Sequence, residues 1–148
     1  MVKRNKRIKQ LRKTINKEWS QYFFKFIKEN PIQNWNWHAL SQNPNLTMEI
    51  VRDNPMKPWD WYGISKNSNI TMKIIRDNPE KPWVWDGISN NPNITWDFIK
   101  DNPDKHWNWL GISMNPNLTM DFIKDNPDKP WDWLEISRNP NITMDIIL

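Results

Sequence analysis

The sequence contains no cysteine, only three glycines and only two histidines among its 148 residues. The absence of cysteine excludes a disulfide framework and a thiolate metal site, and it is typical of proteins in reducing compartments. No apolar run is long enough to span a bilayer. The short apolar segment 22–27 is interrupted by Lys25, and no small-residue cleavage site follows it, so a signal peptide is not predicted. We therefore expect an intracellular, non-secreted protein.

Tryptophan and proline, with twelve residues each, are abundant, whereas acidic residues are nearly missing from the beginning of the chain. Residues 1–28 carry ten Lys/Arg against one acid (+9), and residues 29–148 carry eleven against sixteen (−5), which together give the net charge of +4. The sequence thus combines a basic arm with a mildly acidic body rather than spreading positive charge over the whole chain.

A unit of 24 residues recurs five times without insertion. Each copy begins with Asn-Pro, continues with Trp-x-Trp and a serine, and reaches Asn-x-Asn-[Leu/Ile]-Thr. This spacing predicts five units over residues 30–53, 54–77, 78–101, 102–125 and 126–148. Residues 1–29 precede them as a basic N-terminal arm and capping helix.

Two short helices are predicted in each unit. In the second unit, Pro58 suits the first turn of a helix that continues to Ser65, because its missing N–H would be unpaired there. Thr71 can cap a second helix, which Asn78-Pro79 ends. Acidic residues near the start of the second helices and basic residues near their end match the helix dipole.

The repeat predicts an all-α fold, an α-solenoid of five two-helix units, because such short helices need neighbouring units to cover their faces. Trp-x-Trp supports stacking, since we expect one tryptophan to pack within its unit and the other against the next. The spacing of apolar residues predicts a helix over residues 6–29 whose apolar face covers the first repeat; that face comprises Ile8, Leu11, Ile15, Trp19, Tyr22 and Phe26. The apolar end at residues 146–148 indicates either contact with a partner or another copy, or truncation of a longer array.

The unit Asp125-Asn-Pro-Asp-Lys-Pro-Trp-Asp-Trp-Leu-Glu-Ile-Ser-Arg-Asn-Pro-Asn-Ile-Thr143 resembles the tryptophan-rich repeats of proteins encoded by mimivirus-type giant viruses. The resemblance covers residues 30–148 and leaves out the basic arm. It implies a viral origin and a repeat architecture, with a host cytoplasm or a virion as the location, and it supplies no activity. Ser68 departs from the proline of the other units, which is expected to loosen that turn.

Several repeated positions have both a structural and a functional interpretation. The tryptophans fit core packing better than a ligand platform. The two asparagine columns that begin at Asn43 and Asn45 fit bonds between successive units better than a binding ladder. Asn-[Leu/Ile]-Thr matches the glycosylation acceptor pattern, but turn and cap positions explain it fully. The acidic turns lack calcium-loop spacing, and His38 and His106 occupy different repeat positions, so no metal and no cofactor are predicted.

Two positions on the first helix vary freely between units and lie four residues apart, so they form one row along the array. We call this row the variable stripe, and it is a candidate partner-binding surface; its members are His38, Gln42, Tyr62, Lys66, Asp86, Asn90, Leu110, Met114, Leu134 and Arg138. The alternative is that these are unconstrained solvent positions, and the sequence leaves both open.

These patterns favour a non-enzymatic repeat scaffold that mediates protein–protein interaction. The alternative is a nucleic-acid-associated or virion structural protein whose basic arm contacts phosphates through Lys3, Arg4, Lys6, Arg7, Lys9, Arg12 and Lys13. A third hypothesis places the same basic amphipathic helix on a membrane surface, which requires that its apolar face is not buried against the array. Self-association through the C-terminal end is a further expectation.

Overall fold

The computed structural model describes residues 2–142, without the side chains of residues 2–6, 9, 12, 13 and 16. Over this range the chain forms ten helices and no strand. A long helix, α1 (Val2–Glu29), precedes nine short ones: α2 (Trp37–Gln42), α3 (Met48–Asp53), α4 (Trp61–Lys66), α5 (Met72–Asp77), α6 (Trp85–Ser89), α7 (Trp96–Lys100), α8 (Trp109–Ser113), α9 (Met120–Asp125) and α10 (Trp133–Arg138). The second helix predicted for the last unit lies outside the described residues.

The first helix of each unit begins at the second tryptophan of Trp-x-Trp. In the second unit, Asp60 is the N-cap of α4, and its carboxylate accepts a hydrogen bond from the Tyr62 backbone N–H at 3.0 Å. The sequence-based start at Pro58 is therefore wrong by three residues. The indole N–H of Trp59 donates to the Asn54 carbonyl at 2.9 Å, and this bond belongs to the turn that precedes the helix.

The second helix of the second unit has the predicted boundaries, and those of the first, third and fourth units agree with them to within one residue. Thr71 is the N-cap of α5, where its hydroxyl accepts a hydrogen bond from the Ile74 N–H at 3.3 Å. Asn78 ends the same helix, and its side chain donates to the Ile74 carbonyl at 2.8 Å. Equivalent threonine caps open α3, α7 and α9, which confirms the role expected of the repeated threonine.

A buried serine joins the first helices of successive units. The hydroxyl of Ser65 accepts a hydrogen bond from the backbone N–H of Val84, the N-cap of α6, at 3.0 Å. Equivalent bonds of 2.9–3.0 Å join Ser41 to Asp60, Ser89 to Asn108 and Ser113 to Asp132. These serines are fully buried, so each bond is shielded from water and fixes where the next first helix begins.

The two asparagine columns link each unit to the one before it, as the sequence predicted. Asn91 is buried, and its side-chain amide lies 2.8–3.1 Å from the carbonyls of Ser65, Asn67 and Ile70. In the second column, Asn93 donates to the Ile70 carbonyl at 3.1 Å. Within the described part of the chain, no buried side-chain nitrogen or oxygen lacks a hydrogen-bond partner.

The tryptophans form an edge-to-face series along the array. Each first tryptophan donates its indole N–H to the asparagine of its own Asn-Pro turn, at 2.8–3.0 Å. In the first four units, the second tryptophan meets the first tryptophan of the following unit, with ring centroids 4.9–5.3 Å apart: Trp37–Trp59, Trp61–Trp83, Trp85–Trp107 and Trp109–Trp131. The first tryptophan thus bonds within its own unit, and the second packs against the next unit. This packing explains why both recur.

α1 contacts the first units through its C-terminal turns. Ser20, Phe24 and Ile27 are buried, and the ring of Phe24 stacks on Trp59 with centroids 5.7 Å apart. The expectation that the opposite apolar face covers the first repeat is wrong. Those side chains are exposed, and only Phe26 among them makes a ring contact with the first unit, to Trp35; we call them the outer face (Ile8, Leu11, Ile15, Trp19, Tyr22 and Phe26). None of the helices described, α1 included, is long and apolar enough to cross a membrane.

Candidate interaction surface

All ten side chains of the variable stripe lie at the surface. Seven are exposed, and the other three (Gln42, Tyr62 and Asn90) are half-buried. The serine in the last turn of the same helices is buried in the first four units, so each of these four helices separates a constant inner side from a variable outer side. The structure therefore brings the predicted residues together on one surface, which the spacing of four residues indicated.

Close packing of the first helices makes the variable stripe continuous. α2, α4, α6, α8 and α10 contact one another in succession. A Cβ atom on Gly87 would lie 2.8 Å from the Tyr62 carbonyl oxygen and 2.9 Å from the Ser65 Cβ. Gly63 and Gly111 occupy the equivalent positions of α4 and α8. At Gly87 the neighbouring first helices are thus too close to leave room for a side chain, and the residues before and after this position line one row.

The beginning of the variable stripe is polar and already hydrogen-bonded within the array. Gln42 donates to the His38 Nε2 atom at 2.7 Å, while His38 Nδ1 donates to the Asp60 carboxylate. In the third unit, the Asn90 amide donates to the Asp86 carbonyl at 2.8 Å, and the Asp86 carboxylate accepts from Asn108. These groups have partners inside the protein, so a ligand would have to compete for them.

The other end of the variable stripe is apolar. Leu110, Met114 and Leu134 are 49–61% exposed, and we call these three residues the apolar end. Trp133, beside Leu134, is 59% exposed, whereas the second tryptophans of the other units are partly buried against the next unit. Trp133 belongs to the last of the five units, where no following Trp-x-Trp covers it, so the repeat accounts for its exposure. Grouped apolar exposure of this kind marks interaction surfaces.

The structure describes only one of the seven side chains that were predicted to contact phosphates. Arg7 is exposed, as are Lys17, Lys25 and Lys28 on the same helix. The side chains of the other six predicted residues lie outside the described residues: Lys3, Arg4, Lys6, Lys9, Arg12 and Lys13. The nucleic-acid hypothesis therefore stays a prediction. The outer face of α1, which sequence reasoning assigned to the core, is the second exposed apolar surface of the molecule.

The acidic turns contribute to contacts between units. The Asp101 carboxylate accepts a hydrogen bond from Arg76 of the preceding unit at 2.8 Å. Among the side chains that the structure describes, no group of three or more His, Cys, Asp or Glu is arranged to hold a metal ion. His106 is exposed and lies far along the chain from His38, in keeping with their different repeat positions.

Comparisons with protein-family models, with curated proteins and with solved structures found no match to this chain. The resemblance to giant-virus repeat proteins stays a prediction, and the surfaces are interpreted from their own geometry.

Proposed function

We propose that the chain is a short α-solenoid scaffold that binds a protein partner through the apolar end of the variable stripe. The stacked first helices, the serine and asparagine bonds between units and the tryptophan series support a solenoid. The contacts of Phe24 and Ile27 support a capping role for the last turns of α1.

The exposure of Leu110, Met114 and Leu134 carries this proposal. Equivalent positions in the earlier units hold polar or aromatic side chains, so the repeat itself does not require apolar residues there. About half of each side chain is left uncovered by the array. An apolar centre beside hydrogen-bonded polar side chains resembles the core and rim of a protein–protein interface.

A binding role fits the variable stripe better than a catalytic one. His38 and Asp60 form the only pairing of histidine with a carboxylate in the described part of the chain. The Nε2 atom of His38, which would have to accept a proton from a nucleophile, already accepts a hydrogen bond from Gln42. The pair thus ties the first helices of two units together, and we propose no enzymatic role for it.

The triple variant Leu110→Gln, Met114→Gln and Leu134→Gln tests the proposal in an affinity capture of binding partners from a cell lysate. Ile32→Gln with Met56→Gln is the matched control, because both residues are 92–93% exposed and lie in Asn-Pro turns away from the variable stripe. We expect specific partners to be recovered by the wild type and the control and lost from the triple variant. Equal recovery by the triple variant, with an unchanged melting temperature, overturns the proposal.

A further inference from the structure

α1 carries apolar residues on two opposite sides, and apart from Phe26, which contacts Trp35, only one of these sides faces the array. At 3.6 residues per turn, the six outer-face residues fall within an arc of about 80°, and the buried Phe24 and Ile27 lie on the far side of the helix. From Ile8 to Phe26 the outer face extends over about 27 Å. Its aromatic residues are the most open, with Trp19 at 64% and Tyr22 at 73% exposure.

One border of the outer face is basic. Arg7 and Lys25 are exposed about 80° from the centre of this face, whereas the exposed Lys17 and Lys28 lie nearer the side of Phe24. Glu18 is the one acidic residue among residues 1–28, which together carry a charge of +9. Only Lys25 of these four forms an ion pair, with Glu29 at 3.7 Å. A helix that combines a row of Trp, Tyr, Phe, Leu and Ile with excess Lys and Arg has the composition of one that lies in a lipid–water interface.

A second copy of α1 is a poor occupant of the outer face. Pairing would bring together two helices from a segment that carries a charge of +9, and their mutual repulsion opposes it. Nucleic acid would be held by the basic residues and would leave the apolar row unused. An anionic membrane can bind both the apolar row and the basic residues.

We propose that the outer face of α1 docks on an anionic membrane surface, with the apolar row in the acyl–headgroup boundary and the basic residues against lipid phosphates and carboxylates. The helix binds the array through the opposite side, so docking does not require the contact between Phe24 and Trp59 to break. This inference does not depend on the proposed partner surface, since it uses a different element and different residues.

Flotation of the full chain with vesicles tests the inference. One vesicle preparation contains phosphatidylcholine with about one third phosphatidylserine, and the other contains phosphatidylcholine alone. We expect the wild type to float with the anionic vesicles and to remain at the bottom of the gradient with the neutral ones. Failure of the wild type to float with anionic vesicles overturns the inference.

Two variants separate the apolar contribution from the charge. The first is a triple variant that removes three apolar side chains that are already exposed, Leu11→Gln, Ile15→Gln and Trp19→Gln. Glutamine retains helix propensity. We expect this variant to lose about a hundredfold in vesicle affinity. Arg7→Gln with Lys25→Gln, which removes the two described basic residues beside the outer face, is expected to lose about tenfold to thirtyfold. The control, Ile32→Gln with Met56→Gln, is expected to bind as the wild type does.

The same proteins are titrated with a single-stranded RNA labelled at one end. Vesicle affinity of the apolar triple variant equal to that of the wild type contradicts membrane docking, because binding would then depend on charge alone. If RNA binding is also unchanged in that variant, the nucleic-acid hypothesis replaces the inference. Loss of vesicle affinity in the triple variant, with helix content by circular dichroism unchanged, supports it.

Discussion

The side chain of Asn91 donates a hydrogen bond to the backbone carbonyl of Ser65, 26 residues earlier, at 2.8 Å, and both residues are fully buried. This contact is one step of a series that runs through the array. The inter-unit bonds of the described asparagine and serine columns use backbone groups of the neighbouring unit, so they depend on the geometry of the repeat and little on its variable residues.

Asn91→Leu should therefore destabilise the array strongly. The substitution keeps a similar volume but removes the donor that three carbonyls share, and the loss should be about 2–4 kcal/mol of unfolding free energy. Urea denaturation measures it. Asn34→Ala, at an exposed asparagine outside both columns, serves as the control and should change stability by less than about 0.5 kcal/mol. A loss below about 1 kcal/mol for Asn91→Leu contradicts the role assigned to this column.

Ser65→Ala tests the bond that positions the next first helix. The backbone N–H of Val84 would lose its acceptor in a buried site, which should lower the unfolding free energy by about 1–3 kcal/mol. Ser137→Ala is the matched change in the last described helix, where the serine is exposed and bonds only to Trp133 of its own helix. Thermal melting of both variants should show a clear shift for Ser65→Ala and almost none for Ser137→Ala.

Gly87→Ala should lower the stability of the array, whereas Gly111→Ala should leave it unchanged or raise it. At Gly87 the added methyl would meet the Tyr62 backbone carbonyl at 2.8 Å, which cannot move without shifting a helix, so we expect a loss of about 1–3 kcal/mol. At Gly111 the methyl would meet the side chain of Asn90, which can change rotamer. The helix propensity of alanine then leaves stability unchanged or raises it by up to about 1 kcal/mol. A lower unfolding free energy for Gly111→Ala than for Gly87→Ala, measured by chemical denaturation, would refute this account.

Trp83→Phe separates the hydrogen bond of a repeated tryptophan from its ring packing. Phenylalanine retains an aromatic ring near Trp61 but cannot donate to the Asn78 carbonyl, which the indole N–H now reaches at 2.8 Å. We expect a loss of about 1–2 kcal/mol. Trp133→Phe is the comparison, because Trp133 is largely exposed, and its melting temperature should stay at the wild-type value. Equal shifts in the two variants would show that the turn contact adds nothing to stability.

The all-helical repeat was predictable because identical residues recur at identical spacing. The chemistry and repeat position of Thr71 indicate a helix cap, those of Asn91 indicate a bond to the preceding unit, and the structure confirms both roles. The start of α4 was not predictable from Pro58, since Asp60 and Pro58 are both good residues for a helix start and the bond from the Asp60 N–H to Ser41 of the preceding unit favours Asp60.

The two surfaces differ in how far the sequence could define them. Periodicity identified the apolar face of α1 but could not say which side meets the array; Phe24 and Ile27, two residues outside that pattern, determine the orientation. The variable stripe was predictable as a row, because residues four apart share a helix face. Its division into a hydrogen-bonded polar part and an exposed apolar end required the contacts of His38 and Asp86 with other units.

The constant period of 24 residues has a consequence for how such a chain changes over time. A duplicated unit arrives with its own serine, asparagine and tryptophan, and its neighbours already present the backbone groups and rings that these residues engage. Gene duplication or deletion within the array would therefore alter its length in whole steps while every junction keeps the same form. Selection can then change the length of the array and the residues of the variable stripe independently of each other.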